Sequence, residues 1–281
     1  MPEHPPLALL MMHPGSGPSD RDNDVLFPPI RDALLEAGVA VCSFDKRGVG
    51  GSSGSWLEAG IGAQAQDLLA GSKAAKAILG DLSMGLFGHS QGGWVVLEAA
   101  RLRPPDFVIT NSGPAVSPRE QETYSTLRSL HTLGLDDAIV SKAMAEFAQT
   151  MDLLDVPFEV GWAQVENLAQ LPTLLEAGAF IPSDPTLWAF ASEIMDYDPR
   201  PALGDLNVPL LALYGADDNV VPVQRSAQIV RSLVPQERLD LRVLPGGDHR
   251  IQIGERFVDG YLEGIVDFVR RVAITPVGGG C

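Results

Sequence analysis

Six short apolar runs, separated by stretches of helical periodicity, constrain this chain more than any other feature. They are "LALLMM" (Leu7–Met12), "VAVCSF" (Val39–Phe44), "LSMGLF" (Leu82–Phe87), "FVIT" (Phe107–Thr110), "VPLLALY" (Val208–Tyr214) and "LDLRVL" (Leu239–Leu244). Runs of this length, apolar on successive residues, are strands covered on both faces. Between them the pattern predicts helices near Ile30–Ala37, with Pro28 and Pro29 at the start, over Ala63–Leu79, with Gly71 as a weak point, and over Gln91–Leu102. Two more fall near Gln224–Val234 and over Arg256–Val272. Strands alternating with helices predict an α/β fold, a mostly parallel sheet with helices on both faces.

The alternation stops between about Ser117 and Pro199. That stretch is helical in pattern and carries Tyr124, Phe147, Phe158, Trp162, Trp188 and Phe190. It falls after "FVIT" and before "VPLLALY", so residues 117–199 are expected to form a helical cap. Residues 1–116 and 200–281 would form the core. A chain of 281 residues, 45% hydrophobic, suffices for one large domain with such an insertion.

The net charge of −16 argues against a nucleic-acid or anionic-membrane partner, since both need basic patches. The four lysines, Lys46, Lys73, Lys76 and Lys142, do not cluster. Cys42 lies in an apolar run and Cys281 ends the chain, which supports neither a disulfide framework nor a cysteine metal site. The start "MPEHPPLALLMMHPG" lacks the basic residues of a signal peptide, and no run approaches membrane-spanning length. A cytoplasmic location is expected, and the tail "VGGGC" is expected to be disordered.

Chemistry enters with "GLFGHSQGGW" (Gly85–Trp94). Gly-x-Ser-x-Gly alone is weak evidence, but here Ser90 follows a strand and precedes a helix, the setting of a nucleophile elbow. Gly88 and Gly92 leave out side chains that would collide in so tight a turn, and the helix N-terminus favours negative charge beside Ser90. A serine hydroxyl needs a base, and in this architecture the order is serine, acid, histidine. Of the histidines His4, His13, His89, His131 and His249, the first is terminal, His13 and His89 precede the serine, and His131 precedes any acid. His249, in "LPGGDHRI" after the last strand, has the right order. The acid should follow a strand before it, and "LYGADDNVVP" offers Asp217 and Asp218.

With these motifs in order, the chain resembles the esterase and serine-aminopeptidase-like branch of the α/β-hydrolases. "HPGSGPSDRD" resembles that family's oxyanion loop, "FDKRGVGGSSG" the loop after the next strand, "GHSQGG" the elbow and "GGDHR" the histidine loop. The family's acid loop reads Gly-x-x-Asp-x-x-Val-Pro, which maps onto Gly215, Asp218, Val221 and Pro222 and selects Asp218. The resemblance also implies an oxyanion hole of two N–H donors. One is the backbone of Gln91. The other follows the family's His-Gly, where this chain has Pro14 between His13 and Gly15. Proline has no N–H, so alignment on Gly15 selects Ser16 and alignment on His13 selects Gly15; Ser16 is favoured. Family members usually begin with one or two antiparallel strands, and only Met1–Pro6 precede the first strand here. The sheet is then expected either to be shortened or to have that edge covered by a ligand or a partner chain, as in a homodimer.

The expected activity is hydrolysis of a small-molecule carboxylic ester through an acyl-enzyme, with Ser90 as nucleophile, His249 as base and Asp218 orienting it. Trp188, Phe190, Trp162 and Tyr124 are candidate substrate contacts. Asp45, Lys46 and Arg47, with Asp20, Arg21 and Asp22, read as loop anchors rather than catalytic groups. No metal-ligand spacing and no Gly-x-Gly-x-x-Gly after the first strand is seen, so no cofactor is expected. An aminopeptidase would instead need a cap carboxylate for the substrate's amino group, for which Glu146, Glu159, Glu166 and Glu193 are available. A non-catalytic binding protein of the same fold is the alternative of another class.

Overall fold

The computed structural model describes residues 6–274; His4, Cys281 and the Val277–Cys281 tail lie outside them. Six strands, β1 (Ala8–His13), β2 (Val39–Ser43), β3 (Met84–His89), β4 (Phe107–Asn111), β5 (Leu210–Gly215) and β6 (Leu239–Leu244), form one sheet in the order β2-β1-β3-β4-β5-β6. Every adjacent pair is parallel, with β2 and β6 at the edges. The helices are α1 (Phe27–Glu36), α2 (Ile61–Leu79), α3 (Gln91–Leu102), α4 (Pro118–Thr132), α5 (Asp137–Asp152), α6 (Phe158–Val165), α7 (Leu171–Glu176), α8 (Pro185–Ile194), α9 (Arg200–Gly204), α10 (Val223–Leu233) and α11 (Tyr261–Ile274). Pro28 and Pro29 occupy the first turn of α1, where no N–H is missed, and α2 runs unbroken through Gly71.

Two strands outrun their apolar stretches. The β3–β4 ladder continues through Gly88↔Thr110 and His89↔Asn111, delivering polar residues to the carboxyl ends of the strands. The last helix starts later than the periodicity predicts. Arg256–Phe257 is instead a short strand (β8) paired antiparallel with Gln252–Ile253 (β7). The Gly254-Glu255 pair between them, with Gly254 at φ +65°, is a two-residue hairpin loop with glycine first.

The chain divides into two units, residues 1–115, 199–218 and 223–281 on the one hand and 116–198 with 219–222 on the other. In the first, alternate residues of the sheet (Leu10, Met12, Phe87, Ile109, Leu211, Leu213) pack with Phe27 and Ile30 of α1 and Tyr261, Ile265 and Phe268 of α11. The opposite face is covered by α2 and α3, packed on each other and on β1 and β3. Chain order reverses across β1 and β3: one connection leaves β1 towards β2, and the next strand returns to its other side. The loops after β1 and β3 therefore diverge and leave a crevice at the carboxyl ends of the strands, where ligands bind in open α/β sheets.

The second unit is helical, and its core gathers Leu130, Val140, Phe147, Met151, Leu154, Val165 and Trp188. Three of its helices, α4, α5 and α8, start on side-chain caps: Ser117 accepts from Glu120 N–H, Asp136 from Ile139 N–H, and Asp184 from Thr186 and Leu187 N–H. The indole of Trp188 donates to the Val156 carbonyl (3.0 Å) and meets Phe158 edge-on, while Phe158 stacks on Trp162. Both tryptophans thus pack inside this unit, which is what holds them in place. No helix among the described residues is long and apolar enough to cross a membrane.

The packing of Trp188 makes a test. A Cβ on Gly161 would lie 2.3 Å from the Trp188 ring, whereas one on Gly62 would meet nothing within 4 Å. Gly161→Ala should cost about 1–3 kcal/mol by overpacking, and Gly62→Ala should be neutral or stabilising by up to about 1 kcal/mol. Urea denaturation of the two variants beside the parent checks the contrast.

Candidate active site

Ser90 sits between β3 and α3 at φ +53°, ψ −122°, a conformation that costs a residue with a side chain about 1–3 kcal/mol. Its N–H donates to the Asn111 carbonyl at the end of β4 (2.9 Å), and its carbonyl accepts from Gly93 N–H (2.7 Å). The turn closes because two side chains are absent. A Cβ on Gly88 would lie 2.0 Å from the Gly92 carbonyl oxygen, and one on Gly92 would lie 2.5 Å from the carbonyl oxygen of His13. The first turn of α3 thereby rests on the backbone of the loop after β1.

His249 lies beyond β6, and its Nδ1 is 2.9 Å from Oδ2 of Asp218, which is buried in the loop after β5. With Nδ1–H donated to the carboxylate, Nε2 is left as the proton acceptor. Asp217 is exposed and spends its N–H on the Gly247 carbonyl (2.9 Å), joining the acid and histidine loops. The side chain of Asp248 accepts from Arg250 and Gln252 N–H and so folds the histidine loop back into the β7–β8 hairpin. Ser90, His249, Gly15 and Ser16 line one cleft of about 550 Å³, together with His89, Asn23 and Arg250.

The loop after β1 resolves which of its N–H groups is free. Gly15 N–H donates to the side chain of Asn23 (3.2 Å). Ser16 N–H and Gln91 N–H have no acceptor among the described residues, the latter as the first helical amide of α3. Asn23, at φ +46°, carries no sequence signal that would have singled it out. Asp45 is held by the backbone and guanidinium of Arg21 (2.6–3.0 Å) and Arg47 pairs with Asp67 (2.7 Å). These contacts anchor the two loops, and the Arg21 guanidinium holds the Asp45 carboxyl far below the usual range.

Sequence reasoning passed over His89. Its ring lies 5.0 Å from that of His249. Tyr261 O–H donates to Asn111 Oδ1 (2.8 Å), leaving Asn111 Nδ2 to donate to His89 Nδ1 (2.9 Å). His89 then carries its proton on Nε2, and burial, followed by the neighbouring His249, keeps it neutral well below its usual pKa. His13 is also buried and is pushed down to about 3 by burial and then by Lys46.

In the helical unit, Trp188 and Phe190 are buried and Tyr124 and Trp162 half-buried. Glu159, Glu166 and Glu193 are exposed, and Glu146 is engaged by Gln170 N–H (2.6 Å). The shielded carboxyl is one the sequence did not single out: burial pushes Glu122 up to about 7, opposed by Ser125 and Gln121. Among the described residues, no three His, Cys, Asp or Glu side chains are grouped to hold a metal ion.

A family model described as serine aminopeptidase, S33, matches residues 25–256. The chain belongs to that family. It is 27% identical over 254 residues to a putative carbamate hydrolase RutD of Variovorax paradoxus, covering 89% of this chain and 88% of that one. It is also 27% identical over 235 residues to the mitochondrial palmitoyl-protein thioesterase ABHD10 of Mus musculus, covering 82% of this chain and 65% of that protein. The Pyrococcus furiosus esterase Pf2001 shares the fold at a TM-score of 0.61 and 16% identity, over 95% of this chain and 82% of that one. The protein is a hydrolase of the α/β-hydrolase fold.

The buried histidines set an acid limit. Unfolded, His13 takes a proton near pH 6.5; folded, it refuses one until about pH 3. The unfolded state binds more protons in that window, so stability falls as pH drops through it. At pH 4 this amounts to about 3 kcal/mol. Asp45 adds to it below about pH 4, because its depressed pKa makes protonation destabilising. Urea unfolding of the parent and His13→Asn at pH 7 and pH 4 should show a smaller loss in the variant; equal losses would discount the role of His13.

Proposed function

We propose that the protein is a serine hydrolase that cleaves carboxylic esters through an acyl-enzyme. The observation that carries this is the 2.9 Å contact between the buried Asp218 and Nδ1 of His249, which lines one cleft with the strained Ser90. Ser90 Oγ attacks the ester carbonyl while His249 Nε2 takes its proton. Asp218 holds the imidazole in the required tautomer and stabilises the imidazolium. The N–H groups of Ser16 and Gln91 accommodate the tetrahedral oxyanion, aided by the N-terminus of α3. His249 passes the proton to the departing alkoxide, and water, activated by the same imidazole, releases the acid and frees Ser90. Ser16 is preferred to Gly15 because Gly15 N–H is already donated to Asn23.

Purified protein assayed with short-chain p-nitrophenyl esters should turn them over, and Ser90→Ala should abolish turnover and labelling by a fluorophosphonate. Aminoacyl anilides turned over well above the esters would favour an aminopeptidase of the same fold. Saturable binding of a small molecule without turnover of either would favour a non-catalytic binding protein. Asp218→Asn should lower kcat by about 10⁴-fold, whereas Asp217→Asn should stay within a few-fold; the reverse order would reassign the acid.

A further inference from the structure

Lys46, in the loop after β2, is 4% exposed and has no carboxylate within ion-pair distance among the described residues. The adjacent Asp45 is already taken by Arg21 and by Gly51 N–H. The Lys46 ammonium instead donates to the Gly15 carbonyl and, at 3.1 Å, to Oε1 of Gln91. Gln64 Nε2 approaches the same oxygen at 3.5 Å, and Gln64 is itself held by the Ala59 carbonyl (2.8 Å). An unpaired buried cation weakens a fold, and an apolar side chain of similar length fills such a site at no electrostatic cost. The contacts of this cation are the two residues that carry the peptide planes of the oxyanion site: Gly15, whose carbonyl belongs to the peptide bearing Ser16 N–H, and Gln91.

We propose that Lys46 is a positioning residue for the oxyanion site, fixing and polarising the Gly15–Ser16 peptide and anchoring Gln91 so that both N–H groups stay aimed at the tetrahedral oxyanion. This rests on the serine-hydrolase reading above. In a trans peptide the carbonyl oxygen and the following N–H point in opposite directions. Tying the Gly15 oxygen to Lys46 therefore turns Ser16 N–H away from Lys46. The Gly15 N–H is tied separately to Asn23, so the peptides on both sides of Gly15 are held. A cation on the carbonyl oxygen draws charge through the amide and makes its N–H a stronger donor. The burial that brings the Lys46 pKa down to about 7 also leaves its field poorly screened by water. The charge is thus placed to act on the transition state, which develops a negative oxygen, more than on the neutral ester.

The test compares the parent protein with Lys46→Met and Lys46→Gln, using p-nitrophenyl butyrate, a trifluoromethyl ketone that mimics the tetrahedral intermediate, and fluorophosphonate titration of active sites. Lys46→Met should melt at or above the parent temperature, because it loses an uncompensated buried charge. Its kcat per titrated site should fall by about 10- to 100-fold, less than the loss of a direct donor, with KM within about twofold. Affinity for the trifluoromethyl ketone should fall in step with kcat/KM. Lys46→Gln, which keeps an N–H donor without the charge, should lie between the two and provides the comparison if the methionine variant does not fold. Unchanged kcat per titrated site in a folded variant would overturn the proposal, as would a lower melting temperature with fewer titrated sites of parental activity. A parent protein that neither turns over ester nor accepts the fluorophosphonate would overturn the serine-hydrolase reading and this inference with it.

Discussion

The active end of the sheet depends on a single close approach. The first turn of α3 lies against the carbonyl oxygens of His13 and Pro14, so near that a Cβ on Gly92 would come within 2.5 Å of one and 2.7 Å of the other. This contact ties the helix that follows Ser90 to the loop that carries Gly15 and Ser16. It also explains why the helix begins with small residues although glycine is a poor helix former. The strain at Ser90 is sustained because its neighbours are fixed on every side: β3 before it, the Asn111 carbonyl on its N–H and Gly93 on its carbonyl. A conformation of that energy persists only where the surroundings leave no alternative.

The sheet, its parallel sense and the tight turn at Ser90 were legible in the sequence because each rests on local patterns. Apolar runs report two-sided burial, and a glycine on either side of Ser90 reports a turn too tight for side chains. The choice between Asp217 and Asp218 was not local. Both follow the same strand, and what separates them is which one the loop turns inward: Asp217 spends its N–H on Gly247 and stays exposed, and Asp218 reaches His249. The same holds for Gly15 and Ser16, where the deciding group, Asn23, is a side chain with no motif of its own. The start of the last helix was misplaced because the residues from Arg256 to Phe257 fit a helical period, while the pairing with Gln252–Ile253 that claims them belongs to a hairpin hidden behind Gly254.

Histidine and lysine were the residues whose roles sequence reading simplified most. Elimination by chain order left His249 as the candidate base and treated His13 and His89 as leftovers. The structure shows both buried and neutral, His89 beside His249 and His13 at the root of the loop after β1. Lys46 read as an anchor like its neighbours, yet Asp45 and Arg47 have partners of opposite charge and Lys46 has none among the described residues. The absence of a counter-ion is invisible in a sequence, because it concerns what fails to come near.

The order β2-β1-β3-β4-β5-β6 has a consequence for how activity arises during folding. Ser16, Ser90, Asp218 and His249 are far apart along the chain, and none of the contacts that assemble them is local. Loops of this length close late, so no fragment ending before residue 249 can hold the complete constellation. A growing or half-folded chain therefore carries Ser90 without His249 beside it. For the serine hydrolase proposed above, ester turnover would be withheld until the chain is folded past β6, a readout of the finished fold rather than of any part of it.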